Sequence, residues 1–339
     1  MENKNQKDIE FLYDLTTDSY THYILDNSFV IFNSVDNFLC LIYITEDNDI
    51  IIYNISDDQK IGEIKHYNHK NFISCFKHFF DKANKRDLIM TVSSEDNNIT
   101  IWDLSNLCSI TNIQKVNNTG VIFSACFLKD NDNCYILSSN CNQSMYAMNF
   151  EPIKLYDLKG NKIREINQSN EKTFFIETYY DNSISKTFII TCNFNYIKSY
   201  DYKSNDLYHK YFDNIEGAHY SFAIYNYKDK VNIIESTNRN IRIWNFHTAE
   251  LLDKFNFSNI LNLYSICIWN EDYIFLGCNN EIKLVDLKTI SEIKKLEGHS
   301  SSVLTIKKVN HPKYGEVLLS KGFKNDPIKL WALKENNNS

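Results

Sequence analysis

Glycine and proline are scarce, with 8 and 3 copies in 339 residues. That scarcity excludes collagen-like and linker-like chains, which need both in quantity. Arginine is rarer than function classes built on it require: Arg86, Arg164, Arg239 and Arg242 complete the set. Guanidinium forks are the preferred grip on phosphate and carboxylate, so an arginine-cluster site has little to draw on. Apolar stretches such as 38–44 fall far short of the ~20 residues a spanning helix needs. The first ten residues are polar and charged and lack a signal-peptide apolar segment. Neither end carries a lipidation motif. The nine cysteines, an odd number, include no Cys-x-x-Cys pair, which predicts free thiols in a reducing compartment. The expectation is a cytoplasmic protein, with the nucleus left open, and no membrane insertion.

Positive charge is also short. Lys plus Arg total 36 against 43 Asp plus Glu, a net charge of −7. Such a chain lacks the global field of a nucleic-acid binder. The Lys residues of the C-terminal quarter alternate with Glu and Asp, which reads as a solvated face. Nucleic acid is therefore not the expected partner. Aromatics, by contrast, are abundant: 22 Tyr, 22 Phe and 4 Trp, within a hydrophobic fraction of 43%. That is ample for a core and excludes a wholly disordered chain.

One pattern recurs along the chain. A short β-branched or aromatic run ends in an aromatic residue followed by Asp or Asn, then a polar turn. The clearest copies end at Trp102-Asp103 and Trp244-Asn245, and a third at Trp331. Weaker copies end at Tyr53, Tyr156, Tyr200 and Val285. The gaps between successive markers run from 41 to 54 residues, close to the ~40–45-residue period of four-stranded propeller blades. The largest gap is explained by an insertion at 142–150, between the second and third strands of its unit. Each unit divides into four strand signals separated by polar turns. In the second unit these are 72–80, 87–94, 98–104 and 108–116; in the fifth, 219–227, 230–236, 240–246 and 251–257. No stretch shows an amphipathic helix of three turns.

These residues, with Gly298-His299 opening the last unit, make the sequence resemble the WD40-repeat family over roughly residues 9–334. The resemblance implies an all-β, seven-bladed propeller of four-stranded antiparallel blades. The spare strand Ile9–Leu15 supplies the outer strand of the last blade, closing the ring and protecting its edges. Residues 1–8 and 335–339 read as disordered tails. The family's loop glycines are mostly Asn here, a residue that tolerates left-handed backbone.

The resemblance also implies a structural network. A polar residue six before the Trp holds the histidine of the Gly-His pair. Those positions are Asp47, Asp96, Phe194, Asn238, Asn279 and Asn325. The second unit alone carries the whole set, His69, Ser94, Asp96 and Trp102; Trp244, His299 and Trp331 are members elsewhere.

No catalytic constellation emerges. Cysteines fall in or beside inner strands, where small buried thiols belong. No zinc-ligand spacing occurs, and His66 and His69 do not form a metal motif. The Gly-x-Ser-x-Gly elbow and the P-loop are both missing. Cofactors and metals are therefore not expected. The expected function is a non-catalytic scaffold for protein or peptide partners, one propeller copy within a larger complex. Two alternatives stand beside it: a phosphopeptide-reading substrate receptor of a ubiquitin ligase, and a propeller-type hydrolase. By alignment to the family, the loop-rich face presents Phe72, Glu95, Val121, Thr173, His219, Thr237, Arg239, Asn262, Ser302 and Lys324. Phe72 and Arg239 are the anchor candidates, since aromatics and Arg dominate binding energy. Arg242, on a strand, reads as a solvated position.

Overall fold

The computed structural model describes residues 8–21, 28–65, 73–93, 96–113, 116, 120–131, 133–139, 141–142, 152–166, 173–193, 195–213, 219–227, 230–257, 262–289 and 291–334. The repeated dipeptide explains the local structure. In the first six units the marker is the next-to-last residue of a strand, as Trp102 is of Asn98–Asp103 and Trp244 of Asn240–Asn245. The Asp or Asn after it then turns the chain. Its side-chain oxygen accepts the N–H two residues on: Asn54 from Ser56, Asp103 from Ser105, Asp157 from Lys159, Asp201 from Lys203 and Asn245 from His247, all at 2.9 Å, and Asp286 from Lys288 at 2.7 Å. Such side-chain turns end a strand and reverse it.

Seven four-stranded antiparallel sheets result, each an a–b–c–d meander. Blade 1 comprises Phe29–Asn33, Leu39–Ile44, Ile50–Asn54 and Gln59–Ile64. Blade 2 comprises Ile73–Asp81, Arg86–Ser93, Asn98–Asp103 and Cys108–Ile113. Blade 3 comprises Ala125–Asp130, Asn133–Ser138, Ile153–Asp157 and Lys162–Ile166. Blade 4 comprises Phe175–Asp181, Lys186–Cys192, Ile197–Asp201 and Leu207–Tyr211. Blade 5 comprises His219–Tyr227, Lys230–Thr237, Asn240–Asn245 and Leu251–Asn256. Blade 6 comprises Ser265–Ile268, Tyr273–Gly277, Glu281–Asp286 and Ser291–Glu297. In blade 7, Val303–His311, Gly315–Gly322 and Ile328–Lys334 are completed by Asp8–Thr16, which pairs antiparallel with the last of them. The expected closing strand therefore pairs as read, extended by one residue at each end. The strands expected in units two and five lie within a few residues of those observed. Among the described residues there is no helix.

The core sits at the seams. Among the described residues, seven buried clusters each join two neighbouring blades, and the last joins blade 7 to blade 1 through Leu15, Phe29, Leu41, Leu319 and Leu330. Apolar burial at about 25 cal/mol per Å² makes these seams the main cohesive force of the ring. Asn takes five of the left-handed positions among the described residues, Asn37, Asn48, Asn97, Asn131 and Asn205, with φ of 63°, 64°, 56°, 53° and 66°; Asp58, Lys85, Leu107, Ser185, Ala249 and Lys324 take six more. A two-stranded ribbon, Gly120–Val121 with Cys141–Asn142, stands at the base of the insertion. The rest of that insertion, 143–150, and both tails lie outside the described residues; Asp8 is in the closing ladder.

Candidate functional site

A meander alternates its connections between two faces. The b–c turns and d–a connections emerge on one, called the loop face here; the a–b and c–d turns emerge on the other. In blade 7 a buried polar chain fixes the loop face. His299, from the d–a connection, directs Nδ1 to Asp326 Oδ2 at 3.1 Å and Nε2 to Ser320 Oγ at 2.6 Å. Ser320 Oγ also accepts Trp331 Nε1–H at 2.8 Å. Asp326 Oδ2 further accepts the N–H groups of Ser300 and Ser301 at 3.0 Å each and the Ser301 hydroxyl at 2.9 Å. Despite burial, His299 and Ser301 hold the Asp326 carboxyl below its usual range; burial pushes His299 below its own.

Asp326 therefore holds His299, not the expected Asn325, which is exposed. A carboxylate one residue nearer the Trp outweighs an amide at the counted position. Blade 7 thus carries a whole Asp–His–Ser–Trp chain, which the sequence reading reserved for blade 2. His69 and Ser94 lie outside the described residues. In blade 2, Trp102 Nε1 donates to Thr91 Oγ1 at 2.9 Å, and Ser93 Oγ donates to Asp96 at 2.9 Å. Thr91 and Ser320 both stand eleven residues before their Trp, a shared hydroxyl that the pattern contained and the reading missed.

Blade 5 solves the same problem differently. Trp244 Nε1 donates to Glu235 Oε1 at 3.0 Å, and Arg242 Nη1 donates to the same oxygen at 3.2 Å. Glu235 and Arg242 are both fully buried. Arg242 is thus a core cation and not the solvated strand residue expected. Its Nε stands 3.5 Å from Asp213, which also takes Lys254 at 2.6 Å. Strand position alone does not reveal this, because the neutralising Glu235 sits on the adjacent strand.

The other arginines show which cations are committed. Arg86 bridges Asp81 at 3.0 Å and Asp103 at 2.8 Å. Arg164 lies 4.9 Å from the Tyr202 ring and donates to the Tyr202 carbonyl. Arg239, at the blade 5 b–c turn, is exposed, and its guanidinium has no partner among the described residues. Its turn is nevertheless pinned, since its carbonyl accepts Phe257 N–H at 2.8 Å.

Two blades on, Lys324 occupies the blade 7 b–c turn with φ 56° and an exposed side chain. It exchanges backbone hydrogen bonds with Thr21 at 3.0 and 3.1 Å. Ser302 is half-buried, and its carbonyl accepts Phe323 N–H at 2.9 Å. Asn262 is half-buried and donates to the Tyr264 hydroxyl at 3.0 Å. His219 opens the first strand of blade 5, opposite Thr237; only its backbone is described. Phe72 and Glu95 lie outside the described residues. Val121, Thr173 and Thr237, expected on the face, are buried and withdrawn from contact.

Cysteine chemistry is muted. Burial pushes the thiols of Cys40, Cys134 and Cys278 up to about 12 and that of Cys267 to about 11, leaving little thiolate. Cys108 alone among the described cysteine side chains is exposed. Among the described residues, no group of three or more His, Cys, Asp or Glu is gathered for a metal, and no helix is long and apolar enough to cross a membrane. No family model and no curated protein sequence matches the chain. The fold and geometry define its class, a seven-bladed β-propeller.

Proposed function

We propose that this chain is a divergent WD40-type propeller that acts without catalysis as a platform for protein or peptide partners. The loop face of blades 5–7 carries the contact, and one propeller copy works within a larger cytoplasmic or nuclear assembly. The WD40 reading is supported by the Asp326–His299–Ser320–Trp331 chain, which matches the residue types of the family's network. The observation that carries the binding reading is Arg239: an exposed, uncommitted guanidinium on a pinned turn, in a molecule whose other arginines are engaged. Arg is enriched at interface hot spots, and a rigid scaffold reduces the entropy lost on contact.

Affinity purification from native cells tests this, comparing wild type with an Arg239→Ala, Lys324→Ala variant. The expected result is a defined set of partners lost in the variant while its melting temperature is unchanged. Retention of every partner by a folded variant overturns the assignment to this face. A phosphopeptide array run in parallel tests the ligase-receptor alternative, which requires phosphate-dependent binding lost with Arg239.

A further inference from the structure

On the face opposite Arg239, the a–b turn of one blade approaches the c–d turn of the next. At the seam of blades 4 and 5 the approach is closed. His247 is three residues after its marker Trp244, and its Nε2 lies 3.1 Å from Asp181 Oδ2, at the end of strand a. Its Nδ1 lies 3.2 Å from the Tyr208 hydroxyl. At the seam of blades 3 and 4 the corresponding residues are Lys203, three after Tyr200, and Asp130, at the end of its strand a. They form no ion pair, and a groove of about 600 Å³ opens between the turns. That volume lies within the range of small-ligand sites, ~300–1,000 Å³.

The lining has a distinct chemistry. Lys129 and Lys203 are exposed, and their ammonium groups have no partner among the described residues. Lys186 also lines the groove, but it is bound to Asp201 at 2.7 Å. Asp201 is further saturated by the N–H groups of Lys203 and Ser204. Tyr180 stands on the wall, 53% exposed, with a free ring face. Arg164 donates to the Tyr202 and Lys203 carbonyls and so fixes the turn that carries Lys203. Two free ammonium groups beside an exposed ring thus face the carboxylate of Asp130, which accepts the Asn131 side-chain amide at 3.4 Å and is in no ion pair among the described residues, in a chain of net charge −7.

We propose that this groove binds a phosphate monoester, with Lys129 and Lys203 on the phosphate and Tyr180 against the group that carries it. Lysine serves phosphate as a compact point charge, and hydrogen bonds to charged groups are the strong ones. Asp130 opposes the phosphate, so removing its charge strengthens binding. The site is independent of the loop-face reading, because Arg239 and Lys324 lie on the other face.

Calorimetric titration of the full chain with phenyl phosphate, inorganic phosphate and a phosphoserine peptide provides the test, at low salt. Saturable binding of at least one probe is expected. Lys129→Ala and Lys203→Ala each weaken it about tenfold, Asp130→Asn strengthens it roughly threefold, and exposed Lys60→Ala leaves it unchanged. The substituted residues are surface side chains, and equal melting temperatures establish that the variants fold. Preference for the peptide supports the site and assigns it to phosphorylated protein; preference for phenyl phosphate supports it and assigns it to a small molecule. No saturable binding of any probe overturns the proposal. So does binding that is indifferent to Lys129→Ala, Lys203→Ala and Asp130→Asn.

Discussion

His299 is the residue on which blade 7 turns. It joins the d–a connection, the b–c turn and strand b through bonds to Asp326 and Ser320, and Trp331 completes the chain. Replacing His299 by Ala removes the ring that links Asp326 to Ser320 and leaves a cavity beside Trp331, and is expected to cost about 3–5 kcal/mol. Asp326→Asn keeps the shape and part of the hydrogen bonding, and about 1–3 kcal/mol is expected. Urea unfolding of the two variants checks both the size and the order of the losses. Trp331 and His299 were legible as network members because Gly-His and the Trp marker are local signals. Asp326 and Ser320 were not, since counting from the Trp chose Asn325 and overlooked the hydroxyl eleven residues back. Glu235 and Arg242 were hidden for a related reason: neither charge makes sense until the strands that carry them are paired.

The closing strand Asp8–Thr16 shows the same logic at the scale of an element. Its alternation was readable, and so was its role, because the last unit lacked an outer strand. Its two ends reach different seams: Ile9 packs between blades 6 and 7, and Leu15 between blades 7 and 1. Phe11 meets Trp331 edge-on at 5.4 Å, and Asp14 pairs with Lys329 at 2.6 Å. Lys329 is one of five strand-c cations two residues before a marker, with Lys154, Lys198, Arg242 and Lys283, and all five are buried. That recurrence was present in the sequence, but its burial was not, because each cation is satisfied differently. Lys329 finds Asp14, Lys283 finds Glu281 and Glu292, and Lys154 finds the Val116 carbonyl. Leu15→Ala is expected to destabilise the ring by about 2–5 kcal/mol. Asp14→Ala, which takes the half-exposed carboxylate away from buried Lys329, is expected to cost about 1–2 kcal/mol. Thermal melts that rank the two in the opposite order contradict the stapling role of this strand.

For the whole molecule, the seven seams make stability depend on buried titratable groups in a consistent direction. Burial pushes His78, His299 and His311 below their ordinary 6.5. The unfolded chain therefore takes up protons that the folded chain refuses, and stability falls as pH drops below 6.5. Asp81, Asp103, Asp201 and Asp326, held below 3.8 by their partners, add a second loss as pH falls through their lowered values. On the alkaline side, Cys40, Cys134, Cys267 and Cys278 are raised above 9.0, so unfolding releases their protons and stability falls above that pH. Lys321, buried and drawn down to about 7, works against this trend alone. Melting temperature is expected to peak between about pH 6.5 and 9; a maximum near pH 5 contradicts the account. The seven-fold ring was legible at this scale because six of the seven marker dipeptides end a strand and start a turn at a regular spacing. Which cations stay exposed and uncommitted was less legible, since that depends on contacts between strands and blades.

The most direct measurement is the dissociation constant of a purified partner for wild type and for Arg239→Glu, with melting temperature recorded for both. The loop-face account predicts at least about tenfold weaker binding with an unchanged melting temperature. Equal affinity in a folded Arg239→Glu variant contradicts it and moves the partner off the face of blades 5–7.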